Sequence, residues 1–275
     1  MRRGFSGKSA CRWKPIRRTG GACSWPRRSS SSRSEPDPVT SVTTVSQDGW
    51  DRFSIWGHSA IVRELYTRRC RREVEEMTAH AQAAEMLSRR IGAGDSVLDV
   101  GCGSGYFYHS LAARNLPAEY WGIDVCGALI DIGRDILPGF GLPADRLIEA
   151  RIEDLSGEVD HVVCLNVLTN LDNYHRPLER FLKIARKSVI LRESLKQGAE
   201  YHYVRDDFLD PGIDLKVHVN HYDISDVTQF VASYGFKPEI VVDRRSGGQP
   251  ELVIGYPHYW TFLVADRVAA DRMTN

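Results

Sequence analysis

Hydrophobic and polar positions between residues 94 and 192 follow two alternating periods. Short apolar runs rich in β-branched residues predict strands, and the segments between most of them have the apolar spacing of amphipathic helices. The predicted strands lie near residues 96–100, 120–124, 146–150, 160–165 and 188–192, and the predicted helices near 105–115, 127–136 and 175–187. Strands and helices in alternation predict right-handed crossovers and a parallel sheet covered by helices on both faces.

The pattern changes after Glu193. Residues 194–222 are polar and aromatic without a helical period, which predicts an insertion or a lid. The following stretch "DISDVTQFVASYGF" predicts a capped helix that ends at Gly235. Two further strands are predicted in "KPEIVVDRR" and "HYWTFLVADR". The fold class is therefore α/β.

Upstream of the sheet, Trp50, Phe53 and Trp56 have helix-like spacing, and a helical run continues towards Gly92 and Gly94, which end it. We therefore expect an N-terminal helical segment over residues 39–93. Its aromatic residues either pack on the sheet or close over the functional site as a lid.

Charge is uneven along the chain although the total is balanced. Residues 1–38 are rich in Arg and Ser and hold ten Lys and Arg against two acids, which predicts a disordered tail. An organelle transit peptide has the same composition, so that reading stays open. Residues 39–275 hold 26 basic and 34 acidic residues. This acidic body disfavours nucleic acid and anionic membranes as partners and favours a small molecule.

The six cysteines form no CxxC pair, so we expect reduced thiols and a cytoplasmic protein. No apolar run approaches the roughly 20 residues of a membrane helix, and the N-terminus lacks the apolar centre of a secretory signal. Neither membrane spanning nor export is expected.

The stretch "VLDVGCGSG" places Asp99 and three alternate glycines directly after the first predicted strand. Glycines let the backbone turn sharply and approach a ligand closely. The dinucleotide pattern GxGxxG is not met, because its third glycine would fall on Tyr106. A carboxylate beside the loop repels a pyrophosphate but suits an ammonium or sulfonium group.

Asp124 ends the second predicted strand in "YWGIDV", about twenty residues beyond the glycine loop. A carboxylate at this position is placed to accept hydrogen bonds from both hydroxyls of a ribose. The two features together indicate a cationic, adenosine-containing cofactor.

At these residues the chain resembles the class I S-adenosylmethionine-dependent methyltransferases, over about Gly94 to Ala265. The family's first motif, hhDhGxGxG, matches "VLDVGCGSG", and the acid that ends its second motif matches Asp124. The resemblance implies a doubly wound, seven-stranded, mostly parallel sheet with an antiparallel last strand. It also implies a methyltransferase domain over residues 94–275, with 194–222 as an insertion, and S-adenosyl-L-methionine as the cofactor.

The resemblance further implies which residues contact the cofactor. They are Asp99, Gly101, Cys102, Gly103, Gly105, Asp124, Val125, Ile152, Glu153 and Asn166. Three positions depart from the family: Arg151 stands where many members have an aspartate, and Thr169 and Asn170 replace a common Glu-His pair. Any base that this pair supplies elsewhere is absent here.

Methyl transfer needs orientation and exclusion of water and, for a hydroxyl acceptor, a base. His221, just before the last helix, is our first candidate, followed by His218 and Asp172. The alternative is that both histidines are solvated or hydrogen-bonded lid residues. We predict no metal site, because histidines three residues apart on a non-helical stretch lack a nearby carboxylate or thiolate partner.

The sequence thus predicts an enzyme that methylates oxygen or nitrogen of a small molecule or biosynthetic intermediate. Methylation of RNA or protein is an alternative, as is a non-catalytic cofactor-binding fold that acts as a partner subunit. A nicotinamide reductase is disfavoured by the DxGxGxG spacing and by the absence of a Tyr-x-x-x-Lys pair. Neither the acceptor nor the oligomeric state follows from residue types.

Overall fold

The structure is a computed structural model that describes residues 55–205 and 215–268. The predicted tail over residues 1–38 and the aromatic residues Trp50 and Phe53 lie outside the described residues. The α-helices are α1 (Ile55–His58), α2 (Ala60–Cys70), α3 (Thr78–Ser88), α4 (Phe107–Ala113), α5 (Gly127–Ile136), α6 (His175–Ile184) and α7 (Ile224–Ser233).

The strands form one large sheet and two small antiparallel pairs. They are β1 (Ser96–Val100), β2 (Glu119–Asp124), β3 (Leu147–Glu149), β4 (Val159–Leu165), β5 (Ala185–Lys196), β6 (Tyr203–Arg205), β7 (Lys216–His218), β8 (Tyr222–Asp223), β9 (Phe236–Val242), β10 (Glu251–Val253), β11 (Tyr256–His258) and β12 (Trp260–Arg267). Single 3₁₀ turns occur at Leu137–Phe140, Ala144–Arg146, Ile152–Asp154 and Leu168–Asn170.

The large sheet has the strand order β3-β2-β1-β4-β5-β12-β9. Strands β1 to β5 pair in parallel, whereas β12 is antiparallel to both β5 and β9. The short strand β8 adds in parallel to the end of β5, at Leu195 and Lys196. The predicted seven-stranded, mostly parallel sheet with an antiparallel last strand is therefore confirmed.

Helices cover both faces of the sheet, as predicted. In β1, Val97 packs into the core layer formed with α3, α4 and α5, whereas Leu98 and Val100 pack into the layer formed with α6 and α7. This alternation follows from the two-residue period of a strand. Because helices bury both faces of the sheet, a ligand can bind only at an edge. In folds of this type that edge is the one formed by the carboxyl ends of the parallel strands.

Two elements differ from the predicted boundaries. The predicted helix over 175–187 ends at Ile184, and β5 then runs for 12 residues rather than over 188–192. The extension includes Glu193, which, like the preceding Arg192, is buried because other parts of the chain supply its polar partners. The predicted N-terminal helical run is also interrupted between Cys70 and Thr78, where Arg72 has a positive φ of 60°.

The predicted insertion over residues 194–222 begins with the end of β5 and contains β6, β7 and the start of β8. Strands β6 and β7 pair antiparallel, with Tyr203 opposite His218. Beyond this pair, Glu200 and His221 form an isolated antiparallel bridge. The insertion is therefore a folded-back arm at the carboxyl end of β5.

Candidate active site

The glycine loop follows β1 at the carboxyl edge of the sheet. Gly101, Gly103 and Gly105 have φ values of 70°, 58° and 77°, a conformation that favours glycine. The loop is tied to β2, because the amides of Gly101 and Cys102 both donate to the carbonyl oxygen of Ile123, at 2.8 and 2.9 Å. The sequence therefore forms a strand-turn-helix in which the missing side chains of Gly101, Gly103 and Gly105 let Val167, Tyr66 and Leu147 approach the loop backbone closely.

Asp124, at the end of β2, lies beside this loop. Its Oδ2 accepts a hydrogen bond from the amide of Gly103 at 2.8 Å, and its Oδ1 accepts one from the amide of Cys126 at 2.8 Å. Burial raises the pKa of Asp124, and the backbone hydrogen bonds oppose that rise. Each carboxylate oxygen keeps a further lone pair, so the side chain is fixed and can still accept hydrogen bonds.

Asp99 lies in β1 and is 4% exposed. The hydroxyl of Tyr120 donates to its Oδ2 at 2.7 Å. Burial raises the pKa of Asp99 to about 7; the Tyr120 hydrogen bond lowers it, and the nearby charge of Asp124 raises it further. The carboxyl group therefore titrates near neutral pH, and a cation at the loop would favour its ionised form.

The other predicted cofactor residues follow the neighbouring strands. Val125, directly after Asp124, is 66% exposed. Ile152 and Glu153 belong to the 3₁₀ turn after β3, where Ile152 packs partly against the core and Glu153 pairs with Arg151 at 3.5 Å. These residues flank the carboxyl ends of β2 and β3.

Asn166 follows β4 and has a positive φ of 61°. Its amide donates to the carbonyl of Arg192 at 2.7 Å, and its Oδ1 accepts from the Arg192 guanidinium. That guanidinium also donates from Nε to Oδ1 of Asp243 at 2.7 Å and lies 4.5 Å from the ring centroid of Trp260. A buried ion pair therefore fixes the side chain of Asn166 at the end of β4.

Glu193 organises the loop after Asn166. Its Oε1 accepts from the amides of Val167 and Leu168, both at 3.0 Å, and its Oε2 accepts from the amide and the hydroxyl of Thr169, both at 2.9 Å. Burial raises the pKa of Glu193, and the amides of this loop oppose the rise. The carboxyl group holds the loop that borders the site.

The three predicted base candidates are not brought into mutual contact. His221 is 1% exposed, and its Nδ1 lies 2.7 Å from Oγ of Ser194. His218 is half-buried in β7 with its ring centroid 4.6 Å from that of Tyr203, and Asp172 is exposed after the 3₁₀ turn at Leu168–Asn170. Burial, the charge of His258 and that of Lys196 lower the pKa of His221 to about 4, so its imidazole is neutral at pH 7.

Aromatic and imidazole rings gather where β5 ends and β12 begins. The ring centroid of His221 lies 5.9 Å from that of His258 and 5.4 Å from that of Tyr259. His258 stacks on Trp260 at 4.7 Å, and His202 stacks on Tyr256 at 6.1 Å. This end of the sheet is rich in groups that suit a flat, partly polar organic molecule.

The described part of the predicted N-terminal lid segment, residues 55–93, reaches the glycine loop. Helix α2 packs against α5, and Tyr66 of α2 lies against Gly103. Arg69, one turn further on, lies 5.3 Å from the ring centroid of Tyr66. The segment therefore contacts the glycine loop and packs on α5, a helix that covers the sheet.

Sequence reasoning missed Arg192 and Glu193. They carried a usable signal, since two adjacent charged residues inside an apolar strand indicate buried partners. Tyr66 was among the aromatic residues expected to pack on the sheet or to close over the site, but its contact with Gly103 could not be predicted, because it joins two segments that are distant in the chain.

Comparisons with known proteins agree with this geometry. The sequence profile of a methyltransferase domain matches residues 63–240, about two thirds of the chain. No curated protein sequence matches the chain significantly.

Three solved structures share the fold at low sequence identity. Magnesium protoporphyrin IX methyltransferase from Synechocystis, crystallised with S-adenosylhomocysteine bound, has a TM-score of 0.50 and 17% identity, over 76% of this chain and 99% of that one. The CcbJ methyltransferase of Streptomyces caelestis has a TM-score of 0.51 and 12% identity, over 70% of this chain and 97% of that one. An S-adenosylmethionine-dependent methyltransferase of Clostridium acetobutylicum has a TM-score of 0.50 and 13% identity, over 74% of this chain and 96% of that one.

The chain belongs to the methyltransferase domain family, and it has the Rossmann-like fold of the class I enzymes. It is an S-adenosylmethionine-dependent methyltransferase, as the sequence predicted. The residues at the carboxyl edge of the sheet fit that cofactor, because a glycine loop directly after β1 adjoins a carboxylate that is held in place by two amides. No helix of the described residues has the length and apolar character needed to cross a membrane.

Proposed function

We propose that the enzyme methylates an oxygen or nitrogen atom of a small organic molecule. S-adenosylmethionine would supply a methyl group on a positively charged sulfur: the acceptor atom would bond to the methyl carbon in line as the carbon–sulfur bond breaks and S-adenosylhomocysteine leaves. The protein then has to hold the cofactor, orient the acceptor and exclude water. Three groups of residues serve these tasks in the proposal.

The first group holds the cofactor. Asp124 accepts hydrogen bonds from the ribose, since its two oxygens are fixed by Gly103 and Cys126 and retain free lone pairs. The loop from Gly101 to Gly105 passes along the methionine part, where Asp99 favours the cationic groups. Val125, Ile152 and Glu153 border the base.

The second group shapes the place where the methyl group meets the acceptor. Asn166 is fixed there by Arg192, and the following turn is held by the buried carboxyl group of Glu193. Rigid support of this kind maintains the near-attack geometry that an in-line displacement needs. The side chain of Asn166 and the backbone of this turn are therefore assigned to the methionine part and the methyl group.

The third group forms the acceptor side, and it carries the proposal of a small-molecule acceptor. The rings of His202, His221, His258, Tyr259 and Trp260 gather at the end of β5. Such rings bind a flat organic molecule by stacking and by hydrogen bonds at its polar edge. Magnesium protoporphyrin IX methyltransferase, which shares the fold, is by its name an enzyme of this acceptor class.

For a hydroxyl acceptor, the neutral imidazole of His221 is the proposed proton acceptor, with His218 and Asp172 as the other candidates. Its depressed pKa keeps the ring unprotonated at pH 7. An amine acceptor needs no such base once it is unprotonated.

The four cysteines within the described ranges, Cys70, Cys102, Cys126 and Cys164, are buried and form no disulfide. Buried thiols that form no disulfide suit a reducing compartment. They support our proposal that the enzyme works in the cytoplasm.

The acceptor class is tested with S-adenosylmethionine that carries a labelled methyl group. The enzyme is incubated separately with the small-molecule, RNA and protein fractions of a cell extract, and the Asp124→Asn variant serves as a control for enzyme-dependent transfer. Label that enters the small-molecule fraction supports the proposal. Label that enters only RNA or protein contradicts it and favours the macromolecular acceptors, and binding of cofactor without transfer to any fraction favours the partner-subunit alternative.

A further inference from the structure

Three side chains with metal-ligating atoms converge at the base of the folded-back arm. One ligand atom each from Glu200, His202 and His221 lies within 4.8 Å of the other two. The convergence follows from the backbone. Glu200 and His221 are paired directly opposite each other, with each amide donating to the other's carbonyl at 2.8 Å.

Strand geometry explains why the side chains share one face. Directly opposite residues of an antiparallel pair project to the same side, and residues two apart in an extended chain do so as well. Glu200 therefore shares a face with His221 across the bridge and with His202 along its own segment. The Oε2 atom of Glu200 lies 3.5 Å from Nε2 of His202.

Neighbouring groups orient two of the three side chains. Nδ1 of His221 contacts Oγ of Ser194, which also accepts a hydrogen bond from the amide of Tyr259 at 2.8 Å. The hydroxyl oxygen has a second lone pair for an Nδ1–H donor, and in that tautomer Nε2 of His221 presents a free lone pair. Lys196 binds Oε1 of Glu200, which leaves Oε2 for another partner. Metal-ligating histidines and carboxylates are held by partners of this kind.

We propose that Glu200, His202 and His221 bind a divalent transition-metal ion of the Zn²⁺ class. Two imidazole nitrogens and one carboxylate oxygen are a ligand set that Zn²⁺ and related ions prefer, whereas Mg²⁺ and Ca²⁺ prefer oxygen ligands alone. Three protein ligands leave at least one coordination position for water or for a polar atom of an acceptor.

Burial and charge are compatible with this assignment. His221 is buried, whereas Glu200 is exposed and His202 is partly so, which gives an ion a path from solvent. The hydrogen bond from Lys196 lowers the pKa of Glu200, and burial lowers the pKa of His221 to about 4. The Glu200 carboxyl group is therefore ionised and the His221 ring is neutral at pH 7, as metal binding requires.

Sequence reasoning paired no carboxylate with His218 and His221 and therefore predicted no metal site. Glu200 enters the cluster through the β-bridge, 21 positions before His221. The metal role of His221 excludes its role as a base in the same state, because Nε2 would bind the ion rather than a proton. The ion site itself does not depend on the acceptor class proposed above.

The test is a titration of the full-length protein with Zn²⁺ against a chromophoric chelator, together with E200Q and H202Q. Both substituted residues are at the surface, so these variants leave the buried His221 and the fold in place. H175Q, which changes an exposed histidine outside the cluster, is the matched control. We expect one ion per chain, affinity reduced by about 10- to 100-fold in E200Q and in H202Q, and unchanged affinity in H175Q.

Absorption of the Co²⁺-loaded protein identifies the ligands independently. A spectrum with ligand-field bands and no thiolate-to-metal charge-transfer band supports nitrogen and oxygen ligands. A thiolate band would overturn the proposal by assigning the ion to cysteines. Absence of saturable Zn²⁺ binding, or equal binding by wild type, E200Q and H202Q, would overturn it as well and leave Glu200 and His202 as a surface ion pair.

Discussion

The ring of Tyr66 lies directly over Gly103, so that a Cβ atom at Gly103 would be 2.2 Å from Cε1 of the tyrosine. This contact joins the N-terminal helix α2 to the cofactor loop. Position 103 requires glycine for two reasons. Its φ of 58° favours glycine, and the lack of a side chain leaves room for the ring of Tyr66. The packing of Tyr66 therefore depends on a glycine at position 103.

Gly103→Ala therefore combines backbone strain with a steric clash. We expect the free energy of unfolding to fall by about 1–3 kcal/mol, measured by urea denaturation, and cofactor affinity to fall with it. Gly198→Ala is the matched control, since Gly198 also has a positive φ but has no atom within 4 Å of its Cβ position. Its cost is limited to the strain, about 1 kcal/mol.

The clash is isolated by repeating Gly103→Ala in a Tyr66→Ala background. If the tyrosine ring causes part of the cost, the substitution is less destabilising in that background. An equal cost in both backgrounds would contradict the contact between Tyr66 and Gly103.

Asp124→Asn replaces a carboxylate oxygen with an amide nitrogen that faces a backbone N–H donor. We expect cofactor affinity, measured by calorimetry, to fall by about 1–3 kcal/mol because charge-assisted hydrogen bonds are lost. Asp131→Asn changes an exposed acid of α5 and should leave affinity unchanged. Unchanged affinity in Asp124→Asn would contradict the assignment of this carboxylate to the ribose.

Asp99 makes stability depend on pH. Burial raises its pKa from 3.8 to about 7, so the folded protein binds the proton more tightly than the unfolded chain does. The resulting stability is complete below pH 3.8 and is lost as pH rises towards about 7, with a slope of at most about 1.4 kcal/mol per pH unit.

Asp99→Asn removes this titration. The free energy of unfolding of wild type minus that of the variant should therefore decrease as pH rises through this range, in a series of urea denaturations. The lowered pKa of His221 makes stability rise with pH, which opposes the effect of Asp99. Because wild type and variant share this histidine, its effect cancels in the difference. A difference that does not change with pH would refute the raised pKa.

Glu193→Gln disturbs the turn that follows β4, because the amide nitrogen of glutamine cannot accept from the backbone N–H groups there. We expect a loss of about 1.5–3 kcal/mol in stability. Hydrogen exchange at Val167 to Thr169 should accelerate more than exchange in β1, which Glu193 does not contact. Thr169→Ser, which keeps the hydroxyl donor, should have a smaller effect on this exchange.

The sequence predicted those features that depend on local spacing. The glycine loop and Asp124 were found because strand ends and turn residues are adjacent in the chain. The sheet with helices on both faces was found because two hydrophobic periods alternate over long stretches.

Features that depend on distant pairing could not be found in this way. The contact of Tyr66 with Gly103 and the cluster of Glu200 with His221 join separate segments. The predicted strand ended at Arg192 because Glu193 is unfavourable in a buried strand until the turn after β4 supplies its partners.

The central claim is that the glycine loop and Asp124 bind an adenosylated sulfonium cofactor and not a dinucleotide. Calorimetric titration of the full-length protein with S-adenosylmethionine, S-adenosylhomocysteine and NADH tests it most directly. We predict one site per chain for the first two ligands and no binding of NADH. Binding of NADH, or failure of both sulfur compounds to bind, would contradict the claim.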